Sequence, residues 1–216
     1  MKDATGHSTD AERPYLLMAF GALGILGCVS LVLGTVIAQA VVPGHDWIAD
    51  TISDLGAGEW EIIMDLALYG FAAGLMATAL AASHAHLGGV AWSMGVTGLA
   101  ILAALVIVVG ARNEYGDGDN EGIVIHIYLV YGIGLFFTVV PFCMAAGIGR
   151  DHGAARWLLI LLGIAWVCAA PVFLFSPTSI DGLLERGLGL IACGIVVVLS
   201  WIFYTRGRAA HRAVGP

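Results

Sequence analysis

Pro43-Gly44-His45-Asp46-Trp47-Ile48-Ala49-Asp50-Thr51-Ile52-Ser53-Asp54-Leu55-Gly56-Ala57-Gly58 is a long polar break between two very apolar blocks, and its reading decides the fold. At helical spacing, Trp47, Ile48, Thr51, Ile52 and Leu55 share one face, while Asp46, Asp50 and Asp54 stack four apart on another. The pattern predicts a short amphipathic helix over 46–55, lying on a membrane surface. Aspartates at i, i+4 repel by roughly 0.2–0.5 kcal/mol per pair, so the stripe calls for a cation opposite it.

Working outward, the flanking blocks make this an integral membrane protein. The chain is 59% hydrophobic and only 12% charged, against about 25% charged in soluble domains. Its 30 glycines suit helices that approach backbone to backbone in lipid. Residues 1–14 are polar and read as a tail, as do residues 206–216. Between them, 15–205 forms one membrane domain with spans at about 15–42, 61–82, 91–111, 122–147, 156–175 and 185–204. The expected fold is an all-α six-transmembrane helix bundle with the short surface helix at its outer face. Ala38-Gln39-Ala40 resembles a signal-peptidase site, but the apolar region before it is too long for a typical signal peptide.

An even number of spans puts both termini on one side. That side carries seven of the nine Lys and Arg residues, leaving Arg112 and Arg186 opposite, so both termini are expected in the cytoplasm of a cell-membrane protein. Twelve of the sixteen acids then fall on the outer face, which makes that face strongly acidic. The cysteines Cys28, Cys143, Cys168 and Cys193 all lie in apolar blocks and read as packing residues.

No Asp, Glu, Lys, Arg or His lies near the middle of a span, which disfavours proton-coupled transport and ion pumping. The ionisable residues gather in the outer third: Asp65 one turn into the second span, His126 one turn into the fourth, and Glu185 with Arg186 opening the sixth. His126 is the titratable group there suited to proton transfer near neutral pH. Ser53, Asp54 and His126 are the residue types from which a serine or metal hydrolase is assembled. No G-x-S-x-G, H-E-x-x-H or Walker A accompanies them. Ser53 has a second reading as the cap of the surface helix.

The remaining outer candidates are charges in a network: Asp46, Asp50, Asp65, Arg112, Glu185 and Arg186, with Arg186 and Arg112 as counter-ions to the aspartate stripe. Asp117, Asp119 and Glu121, followed by Gly122, partly match the start of a calcium-binding loop. The frame then fails, because its twelfth position is Tyr128 where a bidentate glutamate is needed. No cofactor motif is complete, so none is predicted, and zinc or calcium are the ions these residue types admit.

Three separated pieces resemble one family. Asp50-Thr51-Ile52-Ser53-Asp54-Leu55-Gly56-Ala57 after the first span, His126 after an acidic loop, and Leu183-Leu184-Glu185-Arg186 opening the last span are similar to motifs of the domain of unknown function 998 family, prokaryotic six-helix membrane proteins. The resemblance runs from about residue 15 to 205. It departs at Gly110-Ala111-Arg112-Asn113-Glu114, where a Phe-Pro-x-Asp-like segment is expected. It implies that the three pieces meet at one outward-facing polar pocket, and it carries no activity.

Two functions fit. In the first, the pocket binds or senses a lipid or small molecule, or assists a membrane-protein partner. In the second, the chain is a membrane-embedded hydrolase or transferase acting on an extracytoplasmic lipid, with or without a metal. The first leads, because structural ion-pair networks are common and no catalytic motif is complete. Membrane lipid is the expected partner, with a membrane protein or a second copy of the chain as further candidates; nucleic acid is not expected.

Overall fold

The computed structural model describes residues 13–111, 126–148 and 152–214. The helices are α1 (Pro14–Val41), α2 (Ile52–Leu55), α3 (Glu61–Ala85), α4 (Gly89–Ala111), α5 (His126–Gly147), α6 (Gly153–Phe175) and α7 (Asp181–Val214), with a 3-10 turn at Thr178–Ile180. Among the described residues there is no strand. Six of the helices are long and apolar enough to cross a membrane, so the protein is a polytopic all-α bundle. The last helix starts before residue 185 and continues past 204, carrying Arg206, Arg208 and Arg212 on its final turns.

Long helices neighbour one another in chain order, and α7 closes the ring against α1. A second contact, between α3 and α7, pinches one side of this ring. Both helix pairs around the pinch are brought close by small residues. A Cβ added to Gly27 of α1 would sit 2.7 Å from the Gly74 Cα of α3, and one added to Gly74 would sit 2.9 Å from the Gly27 Cα. The backbones therefore touch, as small-residue interfaces in lipid allow. Between α3 and α7, the Thr78 and Ser200 hydroxyls share a buried hydrogen bond of 3.0 Å.

With one side pinched, the space between α3, α4, α5, α6 and α7 stays wider. Pro141 in α5 and Pro171 in α6 each remove a donor from the helical ladder beside this space. The four cysteines are all free, and Cys28 donates to the Cys193 carbonyl across α1 and α7. Both ends of the described chain meet at one end of the bundle, where the Tyr15 and His211 rings lie 4.9 Å apart. The segment 43–60 covers the other end.

Candidate functional site

That covering segment is less helical than its aspartate stripe implies: α2 has four residues, Ile52–Leu55. The reason is local competition by short polar side chains for backbone donors. Asp46 Oδ1 accepts the Ile48 N–H at 2.9 Å, and Asp50 Oδ2 accepts the Asp46 N–H at 2.8 Å. Thr51, not Ser53, is the N-cap, joined to Asp54 in a reciprocal capping box. Each aspartate thus folds back on its own segment, and the three do not form one repelling row.

The segment is fastened to the first turn of α7 by its backbone. A helix start leaves N–H groups without intrahelical acceptors. Here the Gly182 and Leu183 N–H groups donate to the carbonyls of Ala49 and Ile48 at 3.1 and 3.0 Å. Two adjacent side chains of α7 then grip α2 from opposite polarities. Glu185 Oε2 accepts the Ile52 N–H at 2.5 Å, and Arg186 Nη1 donates to the Asp50 carbonyl at 2.9 Å. Gly182 is required at this join, because a Cβ there would run into the Asp50 carbonyl.

Arg186 is therefore not the direct partner of the aspartate carboxylates. Its guanidinium also donates to the Gly182 carbonyl at 2.8 Å, to Gln39 Oε1 at 3.4 Å and to His45 Nε2 at 2.9 Å. The His45 side chain is only 3% exposed, and its Nδ1 lies 3.7 Å from Asp50 Oδ2. Taken together, these contacts fit a neutral imidazole with its proton on Nδ1, relaying Arg186 to Asp50. Burial, and then the Arg186 guanidinium, hold His45 below its ordinary value of 6.5, against the opposing pull of Asp50, Asp54 and Asp46.

Beneath α2 lies a chamber of about 430 Å³. Its cap is polar: the Ser53 hydroxyl donates to Glu185 Oε1 at 3.2 Å and stands 3.4 Å from His126 Nε2. His126 is 8% exposed, and its Nδ1 has no partner among the described residues. Below the cap the walls are apolar, contributed by residues such as Phe71, Val106, Phe137 and Leu188. Two polar groups in the walls are already paired, since Thr138 and Trp166 both donate to the Gly134 carbonyl. From His126 to Thr138 along α5 the chamber runs about 18 Å. Five wall residues are also exposed: Tyr131 and Leu135 of α5, and Val167, Pro171 and Leu174 of α6. The chamber thus opens sideways between these two helices, toward the apolar surroundings.

Of the candidate residues, Ser53, His126 and Glu185 come together at the cap, and Asp50 and Arg186 lie directly behind it. Asp54 caps α2 and does not line the chamber, nor does the exposed Asp46. Asp65 is half-buried on α3 and also lies outside the lining. Arg112, Asp117, Asp119 and Glu121 lie outside the described residues. Among the described residues no three His, Cys, Asp or Glu side chains converge as a metal shell.

The family model described as Protein of unknown function (DUF998) matches residues 25–202. The chain belongs to this family. The match embraces all three motifs whose residues meet at the chamber's cap, from Asp50–Ala57 to Leu183–Arg186. No curated protein and no solved structure matches the DUF998 chain. Its sequence motifs and its geometry therefore carry the functional reading.

Proposed function

We propose that this DUF998 protein binds a lipid or other amphipathic small molecule in the chamber beneath α2, from the outer leaflet of a cell membrane, with both termini cytoplasmic. The observation that carries the reading is the union of a polar cap, an apolar chamber and a side opening between α5 and α6. Small-ligand sites have this character, with apolar walls, a few convergent polar groups and volumes of about 300–1,000 Å³. A molecule entering from lipid would slide its chain between the two helices and leave its head under Ser53 and His126. Such a site serves sensing, or presentation of the lipid to a membrane partner.

The experiment is a comparison of bound lipid in the wild type and a variant with the chamber filled. Gly134 lines the chamber, and a Cβ built on it meets nothing within 4 Å, so Gly134→Leu adds volume without a collision at its Cβ. Extraction and mass spectrometry of protein purified in mild detergent should find a stoichiometric amphiphile in the wild type, absent from Gly134→Leu at an unchanged melting temperature. Equal lipid content in both proteins would overturn the proposal.

The pair Ser53 and His126 favours a second reading, hydrolysis or transfer on an extracytoplasmic lipid ester. In it Ser53 is the nucleophile and His126 Nε2 its base. Glu185 bonds the serine hydroxyl and leaves the imidazole unoriented, so the triad order is incomplete. Turnover separates the two readings: under the second the wild type cleaves or transfers a lipid ester and Ser53→Ala abolishes this, whereas under the first the wild type returns its bound lipid unaltered.

A further inference from the structure

Resting on the reading of the chamber as a binding site, we infer that its occupant is a single-chain amphiphile with a hydrogen-bond-donating head, a hydroxyl or an amine, and that carboxylate and phosphate heads are turned away.

The polarity of the cap carries this assignment. Among the described residues, the chamber's lining contains Glu185, His126 and Ser53 but no Lys or Arg. Arg186, next to Glu185 in the chain, points its guanidinium away, onto the carbonyls of Asp50 and Gly182 and onto Gln39 and His45. The backbone donors at the start of α2, which would otherwise attract an anion, are occupied as well. Glu185 takes the Ile52 N–H, Asp54 takes the Thr51 N–H, and Thr51 takes the Asp54 N–H. Among the described residues of the lining an anionic head would therefore find no donor of opposite charge, and it would sit beside the Glu185 carboxyl in apolar surroundings, where charges interact strongly.

The hydrogen-bond order at the cap agrees. With the Ser53 proton directed to Glu185, the Ser53 oxygen accepts from His126 Nε2–H, and the neutral ring keeps an unprotonated Nδ1. That nitrogen is buried without a partner among the described residues, as are His152 Nδ1 and Arg186 Nε, and of the three only His126 belongs to the chamber's described lining. Among the described lining residues, no donor faces His126 Nδ1. A hydroxyl or an amine supplies one, and an amine also pairs with Glu185. The volume, about 430 Å³, sits near the low end of small-ligand sites and suits one chain better than two.

The test uses the full-length protein in mild detergent with dodecanol, dodecylamine, dodecanoate and dodecyl phosphate as probes, which share a chain and differ in head. Melting temperature is read for the wild type and for Gly134→Leu, whose response gives the effect of each probe on the micelle alone. The amine or the alcohol should stabilise only the wild type, at concentrations about tenfold below those the anions need. Preference for the amine that shrinks in Glu185→Gln assigns the head to the carboxyl; equal response to amine and alcohol assigns it to the Ser53 and His126 acceptors. Equal or stronger stabilisation by dodecanoate or dodecyl phosphate would overturn the inference. If no probe acts, the head of the lipid lost from Gly134→Leu decides: a donor head supports the inference, and an anionic head overturns it. A wild type that neither responds nor carries such a lipid overturns the binding reading itself.

Discussion

Arg186 reaches Asp50 through its backbone: the guanidinium donates to the Asp50 carbonyl at 2.9 Å, while the Asp50 carboxylate is met by His45 at 3.7 Å. The neighbouring Glu185 holds the Ile52 N–H two residues on. Acid and base thus bind opposite ends of the same short stretch of peptide, and α2 is fixed over the chamber by two consecutive side chains of α7.

Removing the guanidinium should loosen this cover. Arg186→Ala leaves the Asp50 carbonyl and His45 without their donor, and the melting temperature in detergent should fall by the equivalent of about 1–3 kcal/mol. Arg186→Lys should recover only part of the loss, because an ammonium cannot serve the Asp50, Gly182, Gln39 and His45 acceptors in one planar fork. Melting unchanged in Arg186→Ala would contradict the clamp.

Gly182 tests the same join from the backbone side. Gly182→Ala places a methyl group against the Asp50 carbonyl and the Arg186 guanidinium, which should separate segment 43–60 from α7 at a cost of about 1–3 kcal/mol. Hydrogen exchange should show the lost protection concentrated at residues 48–56, with α3 and α4 unchanged. Uniform loss across the bundle would mean that the substitution acts elsewhere.

His45 gives the join a pH dependence of fixed sign. Its value is depressed in the fold, so the unfolded chain takes up the proton first as pH falls. The associated stability is present above pH 6.5 and is lost as the pH drops through the folded value, when an imidazolium would face Arg186. Wild-type melting should fall between about pH 7 and about pH 5 more steeply than that of His45→Gln. Parallel curves would remove His45 from the account.

At the α1–α3 crossing, Gly27 and Gly74 occupy one point of contact. Gly74→Ala or Gly27→Ala should each lower the melting temperature by the equivalent of about 1–3 kcal/mol. The double variant should depart from additivity, because both methyl groups push apart the same two backbones. Fully additive effects would place the two glycines in separate contacts.

Hydropathy alone marks the six crossing helices, because a span must be continuously apolar whatever it packs against. The three motifs also contain residues that the fold brings together, with Ser53, His126 and Glu185 at the chamber's cap and Arg186 behind it. Four features are not legible in the sequence. The aspartate stripe reads as a helix face only if side chains leave the backbone alone, and Asp46, Asp50 and Asp54 do not. The grip of Glu185 and Arg186 falls on peptide groups, which every residue has and no sequence pattern marks. His45 and Gln39 carry no mark in the sequence for a related reason: their contacts come from the path of Arg186 across the fold. The chamber's walls are invisible for a third reason, since Val106, Phe137 or Leu188 looks the same facing a ligand, a neighbouring helix or lipid.

The most direct measurement of the central claim, that the chamber beneath α2 holds a selected amphiphile, is photocross-linking from two faces of α7. Leu188 lines the chamber and is 7% exposed, while Leu190, two residues on, is 63% exposed. With a diazirine-bearing leucine analogue at position 188, the account predicts one lipid species labelled to saturation and depleted by Gly134→Leu. At position 190 it predicts labelling of membrane phospholipids in proportion to their abundance. The same mixture of lipids cross-linked at both positions would contradict the account.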